Sequence, residues 1–207
     1  VKVPPTMRFE FDGALPRYLM AKDLILHTIG EIGVDGATYR AMEFCGPAVE
    51  AMDMEERMTL CNMAIEAGGK CGVVACDATT EAFARARGAR NFDRVANDPD
   101  AAFYSRHSFD AGALEPTVAA PHSPDNRRLA RELGDVRLTQ AYIGSCTGGK
   151  IGDFRRAAEV LKGRTVAVKT CIVPATRAVE AALDAETVGG ATLRRIFQDA
   201  GCAFAPP

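Results

Sequence analysis

Twice along this chain a short apolar run gives way, across a turn, to a run with helical spacing. Residues 71–75 (CGVVA) read as a buried strand, and residues 78–86 read as a helix that Asp77 can cap. Residues 136–143 read as a second such strand, residues 144–150 (GSCTGGK) as a glycine-rich loop, and residues 151–161 as a helix. A strand that must return as another strand through a helix buries its apolar face against that helix. This order therefore implies an α/β layer architecture.

The remaining segments fit that frame. Residues 7–11 (MRFEF) alternate apolar and charged side chains, as an edge or half-buried strand does, and Asp12-Gly13 marks a turn. Over residues 22–32, Leu24, Ile25, Thr28, Ile29 and Ile32 fall at helical spacing, with Gly33 as the stop. A strand is expected at residues 39–45. A helix is expected at residues 54–67, with Met54, Met58, Cys61 and Ile65 as its apolar stripe and Gly68-Gly69 ending it. Residues 91–126 are rich in Asp, Pro and Ser and weakly periodic, apart from a short strand at 104–110. A strand at 165–173 and helices at 175–183 and 191–200 complete the second half. The expected organisation is a first α/β subdomain at residues 1–110, an irregular connection at 111–134 and a second α/β subdomain at 135–207. Each subdomain is expected to be a small three-layer α/β unit.

Composition narrows the functional classes. With 207 residues, 47% of them hydrophobic, the chain can bury one large core or two small ones. A net charge of −2 supplies no basic face for nucleic acid and no attraction to an anionic membrane. No apolar run approaches the roughly 20 residues needed to span a bilayer. The opening residues have no signal-peptide core, so a cytoplasmic protein is expected. Neither end reads as a natural terminus, and a piece of a longer protein is expected. Seven cysteines, an odd number without a Cys-x-x-Cys pair, argue against a disulfide framework. Six of them are expected to be small buried hydrophobes. His27, His107 and His122 have no ligand spacing; His27 falls in a helix and is expected to be structural.

The seventh cysteine, Cys146, lies in the loop Gly144–Lys150, which admits two readings. Gly144-x-x-x-x-Gly149-Lys150 matches the first seven positions of a phosphate-binding loop between a strand and a helix. The eighth position should offer a hydroxyl to Mg²⁺, yet it is Ile151. Alternatively, a thiolate at the end of a strand, beside backbone N–H groups and flanked by small residues, can bind an inorganic cluster.

The segment Tyr142-Ile143-Gly144-Ser145-Cys146-Thr147 resembles the Gly-Ser-Cys-Thr-Asn segment of the aconitase superfamily, with Gly148 in place of the usual Asn. Residues 21–26 (AKDLIL), 33–39 (GVDGATY), 43–46 (EFCG), 58–68 (MTLCNMAIEAG) and 114–116 (LEP) resemble the isopropylmalate and homoaconitate dehydratase branch. The likeness runs nearly the whole chain. It implies a hydro-lyase that isomerises 2-isopropylmalate to 3-isopropylmalate by removing and re-adding water, in leucine biosynthesis. Homoaconitate and 2,3-dimethylmalate dehydratases share these motifs. The resemblance makes Cys146 one of three ligands to a [4Fe–4S] cluster, the other two lying beyond Pro207. It gives Asn62 and Glu66 catalytic, substrate-side roles; their spacing puts them on one helix face. It further implies a separate small subunit and a hydroxy-di- or tricarboxylate substrate, with no role for nucleic acid or membrane. The 207 residues alone are expected to fold, to hold no intact cluster and to be inactive.

Overall fold

The computed structural model describes residues 2–207 and divides into two compact units, Val1–Gly134 and Asp135–Pro207.

The first unit is built on strands β1 (Thr6–Asp12), β2 (Ala41–Cys45), β3 (Cys71–Val74) and β4 (Ser105–Asp110). They pair in the order β3-β2-β1-β4, all parallel. The alternation in β1 does mark one buried face: Met7, Phe9 and Phe11 point into the core and Arg8 and Glu10 do not. Its place is internal, however, between β2 and β4. The order in the sheet depends on partners that the strand's own pattern does not encode. The first helix, α1 (Ala21–Ile32), buries Leu24, Ile25, Thr28 and Ile29 and stops at Gly33, whose φ of +82° suits glycine. A short α2 (Pro47–Glu50) and then α3 (Met54–Met63) lead from β2 to β3. Phe9, Phe11, Phe44, Leu24, Ile29 and Leu60 are fully buried at the centre. Each such side chain contributes about 1.5–3 kcal/mol on burial.

Asp77 caps α4 (Ala78–Ala86) as expected, its carboxylate accepting from Thr80 N. From there the chain crosses from β3 at one edge to β4 at the other. It runs over the second face, where Asn97 donates to the Glu43 carboxylate and the Phe103 ring lies against the Arg8 and Arg106 guanidiniums. Residues 111–134 are not an irregular connection. They carry an antiparallel pair, β5 (Thr117–Ala119) and β6 (Arg127–Leu129), within the first unit. The Asp23 carboxylate in α1 accepts from Thr117 N, and Arg127 lies over Gly30 and pairs with Glu31. Such pairing across about 95 positions of chain leaves no periodic trace in the segment itself.

The second unit has a parallel sheet of β7 (Gln140–Gly144), β8 (Lys169–Val173) and, further on, β11 (Ala203–Phe204), in the order β11-β8-β7. Its helices are the short α5 (Ser145–Gly148), then α6 (Ile151–Leu161), α7 (Arg177–Ala185) and α8 (Leu193–Asp199). A two-stranded ladder, β9 (Thr187–Val188) with β10 (Ala191–Thr192), joins α7 to α8. Thr176 and Thr192 cap the last two helices through their hydroxyls. Phe154, Ala158, Leu183, Leu193 and Phe197 on α6, α7 and α8 share one core with Ile172, and these helices pack on one another. The α/β character, with parallel sheets and helices, is as expected.

Candidate functional site

The loop after β7 is clamped to the exit of β8. A Cβ on Gly144 would collide with the Val173 carbonyl, and one on Gly149 would lie 2.6 Å from Ser145 O and 2.9 Å from Val173 O. Ala175 N donates to Gly149 O at 2.8 Å. Only glycine allows backbone to approach backbone this closely. Between these two fixed points the chain makes the single helical turn α5. Ser145 has φ +85° and its Oγ accepts from Thr147 N (3.3 Å) and Gly148 N (3.2 Å). Cys146 is exposed on this turn, away from packed hydrocarbon.

This geometry weighs against the phosphate-binding reading. A phosphate loop needs its backbone N–H groups aimed at the ligand. Here Thr147 N and Gly148 N are spent on Ser145 Oγ, and Lys150 N donates to the Asp153 carboxylate at 2.9 Å. Ile151 begins α6 without an oxygen to offer a metal.

Asn62 and Glu66 sit in the first unit, and both are exposed. Asn62 is in the last turn of α3. Glu66 is one residue beyond Ile65 in a 3₁₀ turn, Ala64–Ala67, that continues the helix to Gly68 at φ +79°. The expected apolar stripe is wrong here. Met58 is 38% and Ile65 is 65% exposed, on the outward side with Asn62 and Glu66. The buried side is Leu60, Met63, Ala64 and Ala67, together with Arg57 at 2%. Two apolar stripes overlap in this segment, and helical period alone cannot choose between them. Leu60→Ala should cost about 2–5 kcal/mol of stability in urea titration. Ile65→Ala should stay within about 0.5 kcal/mol. The reverse order would restore the expected stripe.

On the buried side lies Arg57, a residue whose sequence context suggests no role. Its guanidinium makes a bidentate pair with Asp77 (2.8 and 2.7 Å) and donates to the Met52 and Glu50 carbonyls (3.1 and 2.8 Å). The guanidinium hydrogen bonds hold the Asp77 carboxyl far below the usual carboxylate range. Arg57 lines a pocket of about 210 Å³ with Phe44, Cys45, Val49 and Val74, but its donors already have acceptors. The available signal was Asp77 itself, an acidic cap able to serve two donors.

The cysteines differ from expectation. Of the six expected to be buried, only Cys202 is; Cys45, Cys61, Cys76 and Cys171 are half-buried and Cys71 is exposed. Cys71 and Val73 fall on an edge strand, where one apolar residue in two faces outward. Burial, with a smaller push from Cys71, raises the Cys61 thiol pKa, and burial also raises those of Cys45 and Cys202. His27 packs edge-on against Phe109, and burial lowers its pKa. His107 stacks on Phe9 and hydrogen-bonds Ser105 Oγ, and His122 is exposed. Among the described residues no three His, Cys, Asp or Glu side chains gather closely enough to hold a metal ion. Among them, too, no helix is long and apolar enough to cross a membrane.

Parallel α/β units and a thiol on a glycine-clamped strand-to-helix bend are joined here by a family match. The model of the aconitase family (aconitate hydratase) matches residues 1–133 and 126–207, and the chain belongs to that family. Within it, the chain is 55% identical over 207 residues to the chloroplastic 3-isopropylmalate dehydratase large subunit of Arabidopsis thaliana. That alignment covers 98% of this chain and 41% of the relative. It is 50% identical to the 3-isopropylmalate dehydratase large subunit of Nitratidesulfovibrio vulgaris, covering 99% and 48%. It is 47% identical to that of Heliobacterium modesticaldum, covering 100% and 48%. The chain thus spans about half the length of the curated relatives it matches.

Proposed function

We propose that this chain is the central part of the large subunit of a [4Fe–4S] hydro-lyase that interconverts 2- and 3-isopropylmalate. The observation that carries the reading is the exposed Cys146 thiol on its clamped turn, in a chain 43–55% identical along its length to 3-isopropylmalate dehydratase large subunits. A soft thiolate suits iron in a sulfide cluster. One such donor is on this loop, so on this reading two further thiolates come from residues outside the 207.

When bound, the cluster would supply a Lewis-acidic iron to the hydroxyl and carboxylate of the substrate. The protein's part is orientation and proton handling. On this reading Glu66, exposed on its tight turn, holds or passes a proton at its carboxylate. Asn62, on the same outward side, can orient the substrate or a cluster sulfide with its amide. A separate small subunit would complete the site, and the substrate is a hydroxy-di- or tricarboxylate. Homoaconitate and 2,3-dimethylmalate are the competing substrates. A reducing compartment suits seven cysteines outside disulfides, and we assign the cytoplasm.

The test is anaerobic reconstitution, with iron and sulfide, of the complete polypeptide together with its small subunit. Cys146→Ser is expected to abolish the intact cluster. Glu66→Gln is expected to keep the cluster and lower kcat roughly 10²–10⁴-fold. Full iron and sulfide content in Cys146→Ser would end the assignment. The 207-residue chain alone is expected to take up no stable [4Fe–4S] chromophore.

A further inference from the structure

Ser145 holds φ at +85°. Glycine takes this left-handed conformation freely, whereas an L side chain resists it. Glycine is the residue at 144, 148 and 149 in the same loop. Yet the strained position carries a hydroxymethyl group. Its hydrogen bonds account for that. Ser145 Oγ accepts from Thr147 N at 3.3 Å and from Gly148 N at 3.2 Å, and lies 3.2 Å from Thr147 Oγ1. These two amides belong to the opening turn of α5, where backbone donors have no intrahelical acceptor. Cys146 sits between the acceptor and its two donors.

We infer that Ser145 is a positioning residue, whose hydroxyl fixes the turn that presents the Cys146 thiol. The inference rests on the reading of Cys146 as a cluster ligand. The far side of the turn is already held, because Ala175 N donates to Gly149 O at 2.8 Å and no Cβ fits at Gly149. Ser145 Oγ holds the near side. With both sides held, the backbone that carries the thiol keeps one path before any cluster arrives. A ligand that is already oriented loses less freedom on binding, so it releases its metal more slowly.

Three substitutions separate the hydroxyl from the backbone strain. Ser145→Ala keeps the strain and loses the acceptor. Ser145→Gly loses both. Ser145→Asn tolerates positive φ and restores a side-chain oxygen able to accept from the same amides. Two quantities are measured on the complete polypeptide: hydrogen exchange at Thr147 and Gly148 in the cluster-free form, and the rate at which the loaded form loses iron to a chelator under anaerobic conditions. Ser145→Ala and Ser145→Gly should both speed exchange and iron loss by roughly 5- to 10-fold, the factor that one hydrogen bond of ordinary strength implies. Ser145→Asn should return both rates to near the wild-type value. Wild-type rates in Ser145→Gly or Ser145→Ala would overturn the inference, as would faster exchange without faster iron loss. Retention of a full cluster by Cys146→Ser would instead sink the ligand reading, and the exchange data would still report on the hydroxyl.

Discussion

Arg57→Met is expected to destabilise the first unit by about 2–4 kcal/mol, measured as a fall in the urea midpoint at unchanged slope. The guanidinium is 2% exposed and sits where three parts of the chain meet. It donates to the carbonyls of Glu50 in α2 and Met52 beyond it, and to the carboxylate that caps α4. Methionine fills much of the volume but donates nothing, so the Glu50 and Met52 carbonyls lose the guanidinium together, while the Asp77 carboxylate keeps Thr80 N. Asp77→Asn should cost less, because an amide oxygen still accepts from Thr80 N. The pair also predicts a pH dependence. The folded Asp77 carboxyl titrates below its ordinary value of 3.8. Its contribution is therefore fully present above about pH 4–5 and is lost as pH falls through the depressed folded value. Solvent reaches the Asp77 side chain, which is 39% exposed, so screening makes this contribution modest. Stability of the Arg57→Met protein should fall less steeply between pH 5 and pH 3 than wild type. Parallel pH profiles would remove the pair as the cause.

Gly149→Ala is the second large effect. The added methyl would sit 2.6 Å from Ser145 O, 2.9 Å from Val173 O and 3.0 Å from Ala175 N, all of them backbone atoms. No side chain can rotate aside, so the loop or the end of β8 must move. Overpacking of this kind costs about 1–3 kcal/mol. The displaced turn is the one that carries Cys146, so the complete polypeptide should also load less cluster. Gly152→Ala is the matched control. It lies three residues away in α6, and nothing stands within 4 Å of its added methyl. There alanine should be neutral or stabilising by up to about 1 kcal/mol, through helix propensity. Equal losses of stability in the two variants would show that close approach at Gly149 is not the cause.

The turn around Cys146 is legible in the sequence because its signals are local. A strand, glycines and a helix succeed one another within about twenty residues, and the thiol lies between them. Asn62 and Glu66 are likewise legible as neighbours on one side of a helix end. The direction of that side is not. Met58 and Ile65 are as apolar as Leu60 and Met63, and nothing within the segment says which pair meets the core. The partners on the buried side are distant in sequence: Asp77, which pairs with Arg57, is 20 positions away.

By itself the amino-acid order determined the α/β character, most strand and helix positions, the capping role of Asp77 and the cysteine on the glycine loop. Each arises from periodicity, turn chemistry or capping within a few residues. Tertiary structure decided that β1 is internal, that residues 111–134 belong to the first unit, that α3 turns Met58 and Ile65 outward and that Cys71 is exposed. Those outcomes depend on strand pairing, on the ion pair of the buried Arg57 guanidinium and on contacts between distant segments, and such partners meet only once the chain has folded.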